Sequence, residues 1–223
     1  MIKGVVFDLD GTLLNTIAGI QKSVNSVLQK YGFPEHTESF YKAIVGHGMK
    51  SFVMESIPDA HANDIEEILE NVKNEYDDLW QTGTSIYQGI PEILTFLEKR
   101  NIPMAILSNK PIKYVVESVD SFLDQWTFYP VIGEKYDVPK KPNPYGLELI
   151  AQKLHVPARD VLMIGDSAID IETAIAANAQ HAGALWGFKD RAELVSAGAQ
   201  HLLSYPGQLF DLLGDNHEAC SII

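Results

Sequence analysis

Residues 3–16 read KGVVFDLDGTLLNT, and this stretch decides the fold. Its apolar run 5–7 is β-prone and too short for a helix, so it predicts a strand buried on both faces. Asp8 and Asp10 follow directly, and side chains two positions apart in an extended chain lie on the same side. Two neighbouring carboxylates repel each other unless a cation or a shared proton compensates. The stretch therefore predicts a functional site with two carboxylates at the end of a buried strand.

Other structures could also contain this acidic pair. A hairpin turn at Asp10 would need a returning strand, but residues 16–31 show helical periodicity. A calcium loop of the EF-hand type that opened at Asp8 would need glycine at its sixth position and an acid at its twelfth. The chain has Leu13 and Gly19 at those positions. A strand end with solvated acids remains the alternative that carries no function.

Composition limits the class of protein. The chain has 223 residues and 46% hydrophobic content, enough for one large α/β domain or a core with a smaller appendage. Its net charge of -13 argues against nucleic-acid and anionic-membrane partners. The single cysteine, Cys220, excludes an internal disulfide and a thiolate zinc site. No long apolar segment precedes Asp8 or occurs later, so we expect a cytoplasmic protein.

Hydrophobic spacing changes character along the chain. Between 16 and 85 it predicts helices only, at 16–31, 36–45, 49–57 and 63–80. From 87 onward helices and strands alternate. The predicted helices are 91–99, 111–121, 144–155 and 168–177, the predicted strands are 104–107, 129–132, 161–164 and 181–185, and a strand and helix at 201–213 follow. Asn178 follows one helix at a position that suits the left-handed conformation, and we expect 215–223 to be disordered.

This alternation predicts an α/β fold, a Rossmann-like doubly wound parallel sheet. The helical block separates the first strand from the others. We therefore predict a catalytic core formed by 1–15 and 86–223, with an inserted α-helical cap at 16–85.

Ligands of open parallel sheets bind at the carboxyl ends of the strands, so polar residues there are candidates. The residues that follow the predicted strands or their loops are Asp8, Asp10, Ser108, Asn109, Lys110, Lys140, Lys141, Asp166, Ser167 and Asp170. Carboxylates with a hydroxyl and a lysine at one edge are typical of magnesium and phosphate binding.

Each candidate also has an interpretation without function. Asp170 could form a capping box with Ser167, and Ser108 could cap the helix that begins near Pro111. Lys141 could be a solvated surface charge. The joint occurrence of these residues at successive strand ends favours the functional interpretation.

The motifs DLDGT at 8–12, SNKP at 108–111, KPNP at 141–144 and GDS at 165–167, with Asp170 beyond, occur in this order. With them the chain resembles the haloacid dehalogenase-like hydrolase superfamily, and within it the phosphoglycolate phosphatase-like group with a helical cap. The resemblance implies that Asp8 attacks phosphorus to form an aspartyl-phosphate and that Asp10 serves as general acid and base. It also implies Mg²⁺ bound by Asp8, the backbone carbonyl of Asp10, and Asp166, with Asp170 as ligand or support.

The resemblance further implies that Ser108 and Lys141 bind the transferring phosphoryl group. We expect Gly11, Thr12 and Asn109 to contribute to phosphate binding. The alignment of the Lys-Pro-x-Pro motif alone selects Lys141 over Lys140. Dehalogenases of the superfamily lack the second aspartate, so Asp10 argues for a phosphatase.

The predicted cap contains a polar turn, Gly46-His47-Gly48-Met49-Lys50. His47 or Lys50 could contact a substrate carboxylate or hydroxyl there, and Lys110 could add a charge near the leaving group. The alternative is a glycine turn with an exposed His47 and a solvated Lys110. We expect the substrate to be a small phosphorylated metabolite such as phosphoglycolate, and the protein to be a monomer or homodimer.

Three other functions remain open. A phosphomutase would use the same core, and a phosphonatase would need a Schiff-base lysine, for which Lys50 is a weak candidate. A phospho-aspartate signalling domain also has an acidic pocket with a lysine, although its phosphorylated acid normally follows a later strand.

Overall fold

The structure is a computed structural model that describes residues 1–57, 64–135 and 137–214. The strands are β1 (Gly4–Phe7), β2 (Leu14–Asn15), β3 (Ser85–Ile86), β4 (Met104–Pro111), β5 (Phe128–Glu134), β6 (Val161–Gly165), β7 (Gln180–Ala184) and β8 (His201–Leu203). The helices are α1 (Ile17–Lys30), α2 (Glu38–Ile44), α3 (Met49–Ser56), α4 (Ile65–Leu79), α5 (Ile90–Lys99), α6 (Ile112–Phe122), α7 (Tyr145–Lys153), α8 (Ala168–Ala176), α9 (Arg191–Ser196) and α10 (Leu209–Leu212).

One six-stranded sheet forms the centre, in the order β5-β4-β1-β6-β7-β8. All of its pairings are parallel, and β1 lies between β4 and β6. Helices cover both faces, so the predicted α/β Rossmann-like class is confirmed. The carboxyl ends of β1, β4 and β6 therefore meet at one edge.

The strand β1 is buried on both faces, as its apolar run predicts. Val5 and Phe7 belong to one hydrophobic cluster, which contains α5 residues such as Ile93. Val6 belongs to a second cluster, which contains Leu147 of α7. The alternation follows from the two-residue period of an extended chain. Burial on both faces leaves the carboxyl end of β1 as the place where its polar residues reach solvent or ligand.

The helices α1–α4 lie between β2 and β3 in the chain and share a third hydrophobic cluster. The predicted apolar face of α1 is buried there, for example at Ile20 and Val24. β2 and β3 pair antiparallel where the chain leaves and rejoins the sheet. The sequence did not indicate this pair, because two residues per strand show no periodicity. The division into a core and a cap at 16–85 remains a prediction.

Other elements differ from the sequence prediction in detail. The helix α9 was not predicted, because it is short and buries only Leu194, although Asp190 caps it. Asn178 has a φ of 54°, which confirms the left-handed position at the end of α8. The predicted start of α4 at 63 and the segment 215–223, which contains Cys220, lie outside the described residues.

Within the described ranges, no helix has both the length and the apolar character needed to cross a bilayer.

The contact between α1 and α4 yields a stability prediction. A Cβ at Gly19 would lie 2.6 Å from the carbonyl oxygen of Trp80, so Gly19→Ala forces two backbones apart. We expect a loss of about 1–3 kcal/mol in the free energy of unfolding, measured by urea denaturation, although alanine favours helix formation. The matched control is Gly146→Ala in α7, where the three atoms nearest to the Cβ belong to the side chain of Leu107 and not to a backbone, so we expect a smaller loss. Equal stability of the two variants would contradict the close contact.

Candidate active site

Polar side chains from several strand ends meet at one edge of the sheet. Those that line a common cavity are Asp8, Asp10, Ser108, Asn109, Lys110, Lys141, Asp166 and Ser167. They reach it because β1, β4 and β6 are neighbours in the sheet, and because the loop before α7 brings Lys141 over the same edge.

Three acids form the centre of this site. Asp8, Asp166 and Asp170 each have a carboxylate oxygen within 4.8 Å of the others. Asp166 accepts hydrogen bonds from Thr12 Oγ1 at 3.2 Å and from the backbone N–H of Phe188 at 2.7 Å. These contacts fix Asp166 from both sides, so its carboxylate has a defined orientation.

Burial dominates the electrostatics of the acids. It raises the pKa of Asp8 to about 6, with Asp170 and Asp10 adding to the rise and Lys141 opposing it. Burial also raises the pKa of Asp166 well above its ordinary value, and the charges of Asp170 and Asp8 act in the same direction. The cluster is therefore short of positive charge.

Asp170 has two roles. Its Oδ2 accepts hydrogen bonds from the backbone N–H and the hydroxyl of Ser167, at 3.1 and 2.6 Å, in a capping box. Its Oδ1 accepts a hydrogen bond from Lys141 Nζ at 2.6 Å. Both oxygens of Asp170 thus have protein partners, so it caps α8 and also holds the lysine.

Lys141 is the lysine that reaches the acids. Its Nζ lies 2.9 Å from Asp8 Oδ1 and 2.6 Å from Asp170 Oδ1, and its side chain is 3% exposed. Burial alone would lower its pKa, but these two carboxylates outweigh burial and raise it. Lys140 instead pairs with Glu134. Lys141, and not Lys140, is therefore the lysine that lies against the acids.

Asn109 holds the loop that carries Lys141. Its Oδ1 accepts a hydrogen bond from the Lys141 N–H at 2.8 Å, and its Nδ2 donates to the Lys141 carbonyl at 3.0 Å. The same Nδ2 donates to the carbonyl of Gly46 in the helical block, at 2.8 Å. Asn109 thus joins strand β4, the lysine loop and the helical block.

The acidic cluster fits a divalent cation. Asp8 Oδ1 is buried and accepts no hydrogen bond from the described residues. The contact of this oxygen with Lys141 is an ion pair without hydrogen-bond angles. Carboxylate oxygens are the donors that Mg²⁺ prefers, and a cation would offset the repulsion among the acids. Asp8 and Asp166 line the cavity, whereas Asp170 does not, so these two are the carboxylates best placed to hold one.

Gly11 and Thr12 lie against Asp166 and do not line the cavity. Gly11 has a φ of 82°, and a Cβ there would lie 2.3 Å from Asp166 Oδ2. Thr12 is fully buried, with its hydroxyl bonded to Asp166. Ser108, by contrast, lines the cavity, where its Oγ accepts a 3.4 Å hydrogen bond from the backbone N–H of Lys110.

Asp10 lies apart from the three-acid cluster. Its Oδ1 accepts hydrogen bonds from Thr16 Oγ1 at 2.7 Å and Lys110 Nζ at 2.8 Å. Lys110 is buried and also donates to the Tyr76 hydroxyl at 2.7 Å. The interpretation of Lys110 as a solvated lysine is therefore wrong. Neither Thr16 nor Tyr76 was predicted, because both looked like ordinary helix residues in the sequence.

The helical block presents an apolar surface to the cavity. Its lining side chains are Ile20, Val45, Met49, Phe52 and Tyr76. His47 is exposed and does not line the cavity, and Lys50 pairs with Glu66 on α4. The structure thus does not bring His47 or Lys50 together with the acids.

Sequence reasoning also missed the turn after β7. Trp186 Nε1 donates to the carbonyl of Thr12 at 3.0 Å, and the Phe188 N–H donates to Asp166. A Cβ at Gly187 would lie 2.2 Å from Asp166 Cβ, so the turn approaches the acid closely. Its position directly after a strand was the signal that could have found it.

The arrangement can carry out phosphoryl chemistry. Asp8 lies beside Lys141 and the carboxylates of Asp166 and Asp170. The cavity also contains the Ser108 hydroxyl. Asp10 lies two residues away, held separately by a lysine. One cavity thus contains an acid that could act as a nucleophile, carboxylates that could hold a cation, and a second acid that could carry a proton.

Comparison with known proteins agrees with this chemistry. The profile of haloacid dehalogenase-like hydrolases matches residues 5–184. A phosphoglycolate phosphatase of Vibrio parahaemolyticus is 31% identical over 203 residues, covering 88% of this chain and 89% of its own. One of Pectobacterium atrosepticum is 28% identical over 218 residues, covering 96% and 90%.

Solved structures share the fold over nearly the full chain. One from Lactobacillus delbrueckii, provisionally described as a phosphoglycolate phosphatase, has a TM-score of 0.86 at 26% identity, covering 95% of this chain and 98% of its own. A haloacid dehalogenase-like family hydrolase of Streptococcus pneumoniae has a TM-score of 0.86 at 18% identity, covering 95% and 98%. The predicted resemblance is confirmed: the chain belongs to the haloacid dehalogenase-like hydrolase family, in its phosphoglycolate phosphatase-like group.

Proposed function

We propose that this protein, a phosphoric monoester hydrolase, is a magnesium-dependent phosphatase that acts on a small phosphate monoester through an aspartyl-phosphate on Asp8. The observation that carries the proposal is the buried cluster of Asp8, Asp166 and Asp170 with Lys141 between two of its members. Bound magnesium would neutralise charge on the phosphoryl oxygens. Asp8 and Asp166 would hold it with the backbone carbonyl of Asp10, and Asp170 would support the site through Lys141 and Ser167.

The proposed reaction has two halves. First, a carboxylate oxygen of Asp8 attacks phosphorus, the ester P–O bond breaks, and Asp10 gives its proton to the leaving oxygen. Next, Asp10 takes a proton from water as the water oxygen attacks phosphorus, which releases inorganic phosphate and restores Asp8. Ser108 and Lys141 bind the transferring group throughout, with Asn109 holding Lys141 in place.

The helical block is proposed as the cap, formed by 16–85, that covers the cavity. Asn109 donates to Gly46 of this block, and Lys189 donates to its Ala43 carbonyl, so the sheet side holds the block over the site. Phosphoglycolate is the first substrate to test, because the relatives are phosphoglycolate phosphatases. We also propose a cytoplasmic protein that acts as a monomer or homodimer.

The nucleophile is tested by Asp8→Asn. We expect turnover of phosphoglycolate and other small monoesters with Mg²⁺ to fall by about 10³-fold or more, because an amide cannot form the acyl-phosphate. Phosphate release is measured, and acid-quenched protein is analysed for a phosphorylated peptide containing Asp8. The control is Asp160→Asn, which removes a carboxylate paired with Lys3 outside the site and is expected to keep full activity. Full activity of Asp8→Asn, or wild-type release that stops at one phosphate per chain, would contradict the proposal.

The cation site is tested without turnover. We expect Mg²⁺ at about 100 times its Kd to raise the Tm of the wild type by about 5–10 °C, since it binds only the folded chain. In Asp166→Asn the rise should disappear, because a buried carboxylate ligand is lost and less repulsion remains for a cation to offset. Calorimetric titration with Mg²⁺ checks the same loss directly. An unchanged rise in Asp166→Asn would exclude Asp166 as a ligand, while Asp160→Asn should behave as the wild type.

A further inference from the structure

The helix α4 contributes a polar atom to the surroundings of Asp10, in addition to the Thr16 hydroxyl that precedes α1. Tyr76 of α4 is 3% exposed, and its hydroxyl accepts a hydrogen bond from Lys110 Nζ at 2.7 Å. The same Nζ lies 2.8 Å from Asp10 Oδ1 and 3.1 Å from Asp10 Oδ2. A chain of contacts therefore runs from the helical block through a buried lysine to the acid.

The two oxygens of Asp10 are not equivalent. Oδ1 accepts hydrogen bonds from Thr16 and from Lys110, whereas among the residues that the structure describes Oδ2 accepts one hydrogen bond, the longer one from Lys110. Oδ1, which accepts two hydrogen bonds, fixes the carboxyl group. Oδ2 is the oxygen that can carry a transferable proton. The Lys110 ammonium contacts both oxygens and thus helps to fix the orientation of the carboxyl group.

Lysine alone fixes such a position poorly, because its ammonium lies at the end of a flexible four-carbon chain. Lys110 has a side chain that is only 5% exposed, so water cannot readily satisfy its donors. A buried N–H group without an acceptor is costly, and the side chain would move to find one. The Tyr76 hydroxyl supplies that acceptor on the side away from Asp10.

We propose that Tyr76 is a positioning residue for Asp10, acting through Lys110, so that docking of the helical block completes the proton-donating group. The inference rests on the proposed function of Asp10. When Asp10 gives its proton to the leaving oxygen, it becomes a carboxylate, and the adjacent Lys110 ammonium stabilises that charge. A leaving group that departs without protonation gains nothing from this arrangement.

The test therefore compares two esters with wild type and Tyr76→Phe. Ethyl phosphate needs a proton on its leaving oxygen, whereas 2,4-dinitrophenyl phosphate does not. The measured quantity is kcat/KM, which reports transfer to Asp8 and excludes the later hydrolysis of the aspartyl-phosphate. We expect Tyr76→Phe to lower kcat/KM about tenfold for ethyl phosphate, the size of one charged hydrogen bond, and to change it less than about twofold for the dinitrophenyl ester.

Tyr114→Phe is the matched control. The Tyr114 hydroxyl donates to Asp77 of the same helix α4 at 2.8 Å but does not contact Asp10 or Lys110. The rings of Tyr76 and Tyr114 pack edge to face at 4.8 Å, and both phenylalanine variants keep this packing. A weaker docking of the helical block would lower kcat/KM for both esters in the control, whereas an effect through Asp10 appears only with Tyr76→Phe and ethyl phosphate.

A double-variant cycle checks the route through Lys110. Lys110→Met should lower kcat/KM for ethyl phosphate by more than Tyr76→Phe does, and adding Tyr76→Phe to it should cause no further loss. Independent losses, or equal losses for the two esters in Tyr76→Phe, would overturn the inference alone. Failure of the wild type to hydrolyse the two esters and phosphoglycolate would overturn the proposed function and this inference with it.

Discussion

Repulsion among three buried carboxylates is the constraint on which the site depends. The burial of Asp8 and Asp166 and the charge of Asp170 raise the pKa of the first two, so the cluster favours a cation. Lys141 supplies one positive charge, and Asn109 fixes the loop that carries it. Buried acids of one sign are costly unless such partners surround them. The loops at this edge are therefore shaped by the need to hold and neutralise the acids.

The two parts of the molecule contribute different chemistry to the cavity. Among the described residues, every charged side chain that lines the cavity comes from the sheet strands or from the loops that follow them, for example Asp10 and Lys141. The helical block contributes apolar side chains such as Phe52, together with the hydroxyl of Tyr76. This division separates the charged groups of the cavity from its apolar wall. The Tyr76 hydroxyl is linked to Asp10 through Lys110.

Local patterns predicted much of the fold and the charged part of the site. Asp8 and Asp166 follow strands of continuous apolar sequence, and that signal needs no knowledge of distant contacts. The turn at Trp186 was missed because the residues that contact the acid loop do so through backbone and indole N–H groups, which no charge motif in the sequence indicates. Tyr76 has the spacing of a core residue in α4, and it is indeed buried, so periodicity could not indicate its second role.

The sequence by itself determined the order of the longer strands and helices, the position of the helical block between the first two sheet strands, and the acids at the strand ends. Hydrophobic periods and strand-end motifs are short-range properties of the chain. The tertiary structure alone decided which charges become partners. Lys110 is 100 residues from Asp10 and 34 from Tyr76 in the chain, yet it contacts both. No local pattern encodes such contacts, because they arise only when β1, β4 and α4 pack together and exclude water from the charges between them.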